Sequence, residues 1–157
     1  MLLTACRYDY PVFARNGGEP VVYAGQYHTD VVTSKAVAQI RSAKAAGKPF
    51  YIQVAPIGCH DACYVDEDFN GYVTPPVPAP RHAKLYAEVN LPHDPSFNEE
   101  DVSDKPAWVQ ALPRLDRANV TYLNEYHRDR LRSLRSVDEL IDTLAYQTDL
   151  QVPFLIS

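Results

Sequence analysis

Cys59-His60-Asp61-Ala62-Cys63 packs two thiols, an imidazole and a carboxylate into five residues, directly after the apolar run "YIQVAPI". Three chemistries use such side chains. Structural zinc takes four ligands, usually from two paired knuckles. Cys59 and Cys63 have knuckle-like spacing, but Cys6 is isolated and His82 stands alone, so a second knuckle is missing. A Cys/His nucleophile pair is normally assembled from neighbours in space rather than in sequence. Nothing in the sequence selects His28 or His82 as the base. Substrate binding is the third option. His60 lies a few residues beyond a predicted strand, at its carboxyl end, where open α/β sheets place their ligands. A histidine there can donate to an anionic oxygen or protonate a leaving group. The blander reading is a histidine that caps a strand end.

The adjoining acidic loop carries a second pattern. Asp66, Asp68, Asn70 and Gly71 match the first half of an EF-hand loop, but Val77 stands where the bidentate Glu belongs. Pro75 and Pro76 occupy what would be the exiting helix. An EF-hand is excluded, leaving weak adventitious calcium binding. His127-Arg128-Asp129 has the letters of a kinase catalytic loop, yet Leu134 replaces the required Asn. The triplet falls on a predicted amphipathic helix and reads as its wet, charged side. "PPVPAPR" contains a P-x-x-P core and reads more simply as a rigid surface loop than as a polyproline ligand. Asn119-Val120-Thr121 is a glycosylation sequon, meaningful only in a secretory compartment.

The elements that must position these residues are few. A chain of 157 residues has the length of one domain, and its 46% apolar content is globular. The net charge of −5 argues against a nucleic-acid footprint, which needs a basic stripe. No apolar run reaches the ~18–20 residues of a membrane span. "MLLTAC" is too short for a full secretory signal, and three cysteines cannot close a disulfide framework, so compartment is not legible. The first 28 residues read as loop. A helix with Thr29 or Asp30 as N-cap follows, with Val32, Ala36, Ile40 and Ala43 on one face and Gly47 as its C-cap. "PFYIQVAPI" predicts a buried strand at about 50–55. Helix plus strand thus occupy 28–56, and a long loop region on the side of the site covers 57–118, with a short helix near "PRHAKLYAEV". An amphipathic helix fills 119–147, its periodicity clear from about Thr121, with Leu131, Leu134, Val137, Ile141 and Leu144 as the apolar stripe. "VPFLIS" is a final strand candidate. This inventory predicts an α/β piece with too few strands for a self-sufficient sheet.

Four phrases in order carry a resemblance: "EPVVYAGQYHTDVVTSKAVAQI", "KPFYIQVAPIGCH", "PPVPAPRHAKLYAEVNLPHDPSFNEEDVSDKPAWVQALPRL" and "YHRDRLRSLRSVDELIDTL". Together they closely resemble the sulfatase family, nearest to its arylsulfatase and N-acetylglucosamine-6-sulfatase branch, from about Tyr8 to Leu144. The resemblance implies a partial alkaline-phosphatase-like α/β/α sandwich, a single partial sulfatase domain over 1–157, and hydrolysis of aryl or amino-sugar sulfate esters as the parent activity. The family's Ala-Pro-x-Ala-Pro-His phrase is matched at Ala55, Pro56 and His60, whereas Gly58 and Cys59 depart from its second Ala-Pro. That match implies His60 as the catalytic, sulfate-contacting residue. Lys35 and His82 fall in family phrases without assigned chemistry, His82 as a residue that orders the loop. The family's formylglycine nucleophile arises in a Cys/Ser-x-Pro-Ser-Arg motif that this sequence lacks. Also missing are the paired aspartates, the Gly-Lys-x-His segment and the Asp-Asn-Gly strand end that would supply calcium ligands. No cofactor or metal is therefore expected in this chain, calcium and formylglycine belonging to the parent family, and a truncated, catalytically inactive piece is expected. The resemblance also implies a sulfate ester as partner and a secreted or lysosomal destination, while the charge and the lack of a long apolar run predict no nucleic acid or membrane partner. A non-catalytic pseudoenzyme or anion-binding module is the alternative, and an unrelated Cys/His or zinc protein a third reading.

Overall fold

The structure, a computed structural model, describes residues 7–148. In chain order the elements are β1 (Val12–Phe13), β2 (Val21–Val22), α1 (His28–Ala45), β3 (Ala62–Val65), β4 (Gly71–Thr74), a 3-10 turn (Pro80–His82), α2 (Ala107–Gln110) and α3 (Arg117–Thr148). Two antiparallel hairpins, β1–β2 and β3–β4, form within stretches whose turn residues predict loop. In the second, Tyr64 faces Tyr72 in register and their rings stack at 5.4 Å. Asp66 closes its turn, the carboxylate accepting from the Asp68 and Asn70 amides at 3.0 and 2.8 Å. The half EF-hand pattern is thus a hairpin turn. Alternation is too short in both hairpins to stand out from the Gly- and Asn-rich residues around it.

α1 begins at His28 rather than after a Thr29 or Asp30 cap. Thr29 is fully buried, and Asp30 is bound to Arg81 instead of capping. At the other end Gly47, at φ 61°, closes a Schellman motif as its position predicts. Its amide donates to Lys44 O at 3.0 Å and that of Lys48 to Ala43 O at 3.2 Å. α3 starts earlier than its hydrophobic periodicity suggests because Asp116 and Asn119 cap each other. Asn119 N–H donates to Asp116 Oδ1 at 2.8 Å, and Asp116 N–H to Asn119 Oδ1 at 3.2 Å.

The core sits between the two long helices. Ala36 and Ile40 of α1 pack with Leu140 and Leu144 of α3, and Val32, Val37, Ile52, Val54 and Ile141 lie against them. The helices run parallel: Asp30 and Glu139 share Arg81 at one end, while Arg41 and Lys44 both bond Gln147 at the other. The predicted stripe of α3 is only partly right. Leu134 is exposed, and the buried line instead passes through Ser133 and Ser136, whose small side chains let other backbone come close.

Residues 50–55 correct the predicted buried strand. No ladder forms along this segment among the described residues. Ile52 and Val54 face the helices, half-buried, whereas Phe50, Tyr51, Gln53 and Ala55 face solvent, Tyr51 at 88%. The apolar alternation is that of a strand, but a ladder needs a neighbouring strand. The stretch "VPFLIS" lies outside the described residues.

Candidate functional site

Beyond Val54 the chain crosses α3 against the helix direction. Gly58 meets Ser133, Cys59 meets Arg130, and Asp61 meets Tyr126. These helix residues, with Val137, follow spacings of four, three and four, so they share one face. A Cβ on Gly58 would stand 3.2 Å from Ser133 O and 3.3 Å from Val137 Cγ2, which explains a glycine where the turn touches the helix. The Gly58–Cys59 peptide is cis. The turn closes with His60 N–H donating to Ile57 O at 2.8 Å. Tyr8, fully buried beneath it, donates its hydroxyl to His60 O at 2.6 Å. Burial, and then the neighbouring Tyr27, push the Tyr8 phenol well above its ordinary pKa, so it remains a proton donor. Tyr126 donates to the Asp61 carboxylate, and that bond pushes the Tyr126 phenol up to about 12.

His60 itself is exposed. Its Nδ1 lies 2.8 Å from Asp61 O. A carbonyl oxygen only accepts, so Nδ1 carries the hydrogen, and in the neutral ring Nε2 is an acceptor. Nε2 has no protein partner among the described residues. Neutral His60 therefore offers a lone pair, whereas the imidazolium offers an N–H to an anionic oxygen. One residue can thus alternate between receiving and donating a proton.

The other residues singled out in the sequence lie elsewhere or do structural work. Cys59 and Cys63 are half-buried and outside any disulfide. Among the described residues no three His, Cys, Asp or Glu side chains group as an ion would require. In the half EF-hand pattern, the Asp66 carboxylate is occupied by amides of its own turn. Lys35 donates to Tyr23 OH at 2.7 Å, with its ammonium over the Tyr23 ring, and so fixes the first hairpin to α1. His82 is buried, its Nε2 3.0 Å from Glu139 Oε1 at an ion-pair distance without hydrogen-bond alignment. Beside it, Arg81 bonds Asp30 through two nitrogens, at 2.7 and 2.9 Å, and Glu139 at 2.6 Å. This pair does order its loop, by clamping it across α1 and α3. A cleft of about 220 Å3 beside that clamp, lined by Asp30, Ser34, Ser136 and Glu139 among others, shares no residue with the surroundings of His60.

The arginines after His127 are not simply a wet face. Arg132 is buried and donates to Leu85 O at 2.8 Å, and Arg128 donates to Val89 O at 2.7 Å. They tie residues 85–90 down to α3. The proline run is likewise packed rather than displayed, with Pro76 and Ala79 buried and Val77 O accepting from Tyr27 at 2.9 Å. Sequence reasoning missed Tyr8, Tyr126 and Arg130. For the last two, the helical spacing with Ser133 and Val137 was a usable signal. Tyr8, in a stretch with no periodicity, had none.

The sulfatase family profile matches residues 4–156. The chain belongs to the sulfatase family. It is 52% identical to an arylsulfatase of Volvox carteri over 151 residues, covering 90% of this chain and 23% of that protein. Identity to an arylsulfatase of Chlamydomonas reinhardtii is 44% over 156 residues, covering 94% and 24%. With the sulfatase ppz1 of Metarhizium majus it is 34% over 139 residues, covering 88% and 31%. The chain therefore spans about a quarter of the length of the two algal relatives. No solved structure is significantly similar to it. Membership implies an α/β fold of alkaline-phosphatase type, and the described residues form a small α/β piece with few strands.

Proposed function

We propose that this chain carries the substrate-facing histidine of a sulfate ester hydrolase, within an α/β/α sandwich of which these residues are one part. His60 binds an oxygen of the sulfate ester through Nε2–H and remains next to the bridging oxygen, where it can protonate the leaving alcohol or phenol. The observation that carries this reading is the His60 ring itself: exposed, oriented through Nδ1, and with Nε2 open. The turn that presents it is held by Tyr8 from below and by one face of α3 from the side. Membership of the family supports sulfate esters as the substrate class, and arylsulfatases among the relatives favour aryl sulfates.

Hydrolysis also needs a nucleophile. These 157 residues contain no Cys/Ser-x-Pro-Ser-Arg segment. Alone, the chain binds sulfate esters and does not turn them over. The test is an NMR titration of the purified chain with 4-nitrophenyl sulfate. One charge-assisted hydrogen bond in water supports a Kd on the order of tens of millimolar. His60 ring signals should shift on titration, His60→Ala should abolish binding, and no 4-nitrophenol should be released. Equal binding by His60→Ala overturns the assignment; release of 4-nitrophenol by the chain alone overturns its inactivity.

A further inference from the structure

Three arginines of α3 take their acids from their own helix. Arg128 pairs with Glu125 at 2.7 Å, Arg132 with Glu125 and Asp129 at 2.5 and 2.8 Å, and Arg135 with Asp138 at 2.8 Å. Residues three and four apart are the neighbours on a helix surface. Around Arg130 those positions hold Tyr126, His127, Ser133 and Leu134, and none is an acid. Arg130 is exposed and enters no ion pair among the described residues. Asp61, the carboxylate of the turn beside it, is bound by Tyr126. The contact from Arg130 Nη2 to Cys59 Sγ, at 3.9 Å, reaches a weak acceptor. The other N–H groups of the guanidinium have no protein partner among the described residues.

That contact also fixes where the charge stands. Cys59 is the residue before His60, and Asp61, held by Tyr126 one turn earlier on the same helix face, is the residue after it. Arg130 and Tyr126 thus hold the two residues on either side of His60, and the guanidinium borders whatever ligand His60 takes. A guanidinium is a planar fork of N–H donors that matches two oxygens of one anionic group. Cys59 lies against α3 while the His60 ring is exposed, so the two cations flank a ligand instead of converging on one sulfate.

We propose that Arg130 determines specificity: it receives a second anionic group carried on the same aryl sulfate whose ester His60 binds. The inference rests on the reading of His60 given above and adds to it the preferred class of ester, a dianion. The net charge of −5 by itself disfavours the more negative ligand, so a preference for it needs a local cation.

The test is NMR titration of the full 157-residue chain with 3- and 4-carboxyphenyl sulfate against 3- and 4-nitrophenyl sulfate. A nitro group has the shape of a carboxylate without its charge. At least one carboxyphenyl isomer should bind about threefold more tightly than its nitro counterpart, the order expected of an exposed ion pair. Arg130→Gln should bring that ratio to one or below. Arg130→Lys, which keeps the charge without the fork, should retain part of it. Each ratio is taken within one variant, so a loosened turn weakens both ligands and cancels. Ratios of one or below for both isomers in the unmodified chain overturn the inference, and so does a ratio that survives Arg130→Gln. Those two outcomes leave His60 in place. If His60→Ala binds 4-nitrophenyl sulfate as the unmodified chain does, the reading of His60 falls and this inference falls with it.

Discussion

The two nitrogens of the His60 ring have different tasks. Nδ1 is committed to Asp61 O, which orients the ring, and Nε2 has no hydrogen-bond partner among the described residues. Because the committed nitrogen holds the hydrogen of the neutral tautomer, an anion is bound by the imidazolium and not by the neutral ring. Cys59, where the family has proline, contacts Arg130 through its thiol at 3.9 Å and is part of the support of the turn.

α3 organises its surroundings through separate faces. Leu140 and Leu144 meet α1, Tyr126, Arg130 and Ser133 meet the His60 turn, and Glu125, Arg128 and Arg132 hold residues 85–90. Glu139 lies beyond them in the Arg81 clamp. Arg81, and less so His82, hold the Glu139 carboxyl below its ordinary value of 4.5. A depressed carboxylate contributes stability that is fully present above the unfolded pKa and is lost as pH falls through the folded one. The clamp is partly exposed, so its worth is limited to about 1 kcal/mol. Arg81→Ala should therefore lower stability near neutrality by that amount and shrink the difference from the unmodified chain below pH 4.5, as urea unfolding across pH would show. The legibility of these elements follows their physics. The apolar period and Gly47 announced α1, and the long period of α3 survived its polar interruptions. The hairpins escaped because strands of two and four residues give almost no alternation. The buried arginines escaped because a guanidinium tying down carbonyls has the same sequence signature as one in water. His60 stood out through its place after the apolar run and through the ordered family phrases, while the residues that hold its turn are distant in sequence, Arg130 lying 71 positions from Cys59.

At the scale of the molecule, two parallel helices lie against Ile52 and Val54, and the turn that follows them carries the exposed His60. The net charge is −5, and no helix among the described residues is long and apolar enough to cross a membrane. The central claim, that these residues present His60 to a sulfate ester, is tested most directly in a complete enzyme. The matching quarter of the Volvox carteri arylsulfatase, 52% identical, can be replaced by this chain and the hybrid assayed on 4-nitrophenyl sulfate. The hybrid should hydrolyse it, and His60→Ala in the hybrid should lower kcat/KM by roughly 100- to 1,000-fold without loss of folded protein. A folded, active hybrid that is indifferent to His60→Ala would contradict the account.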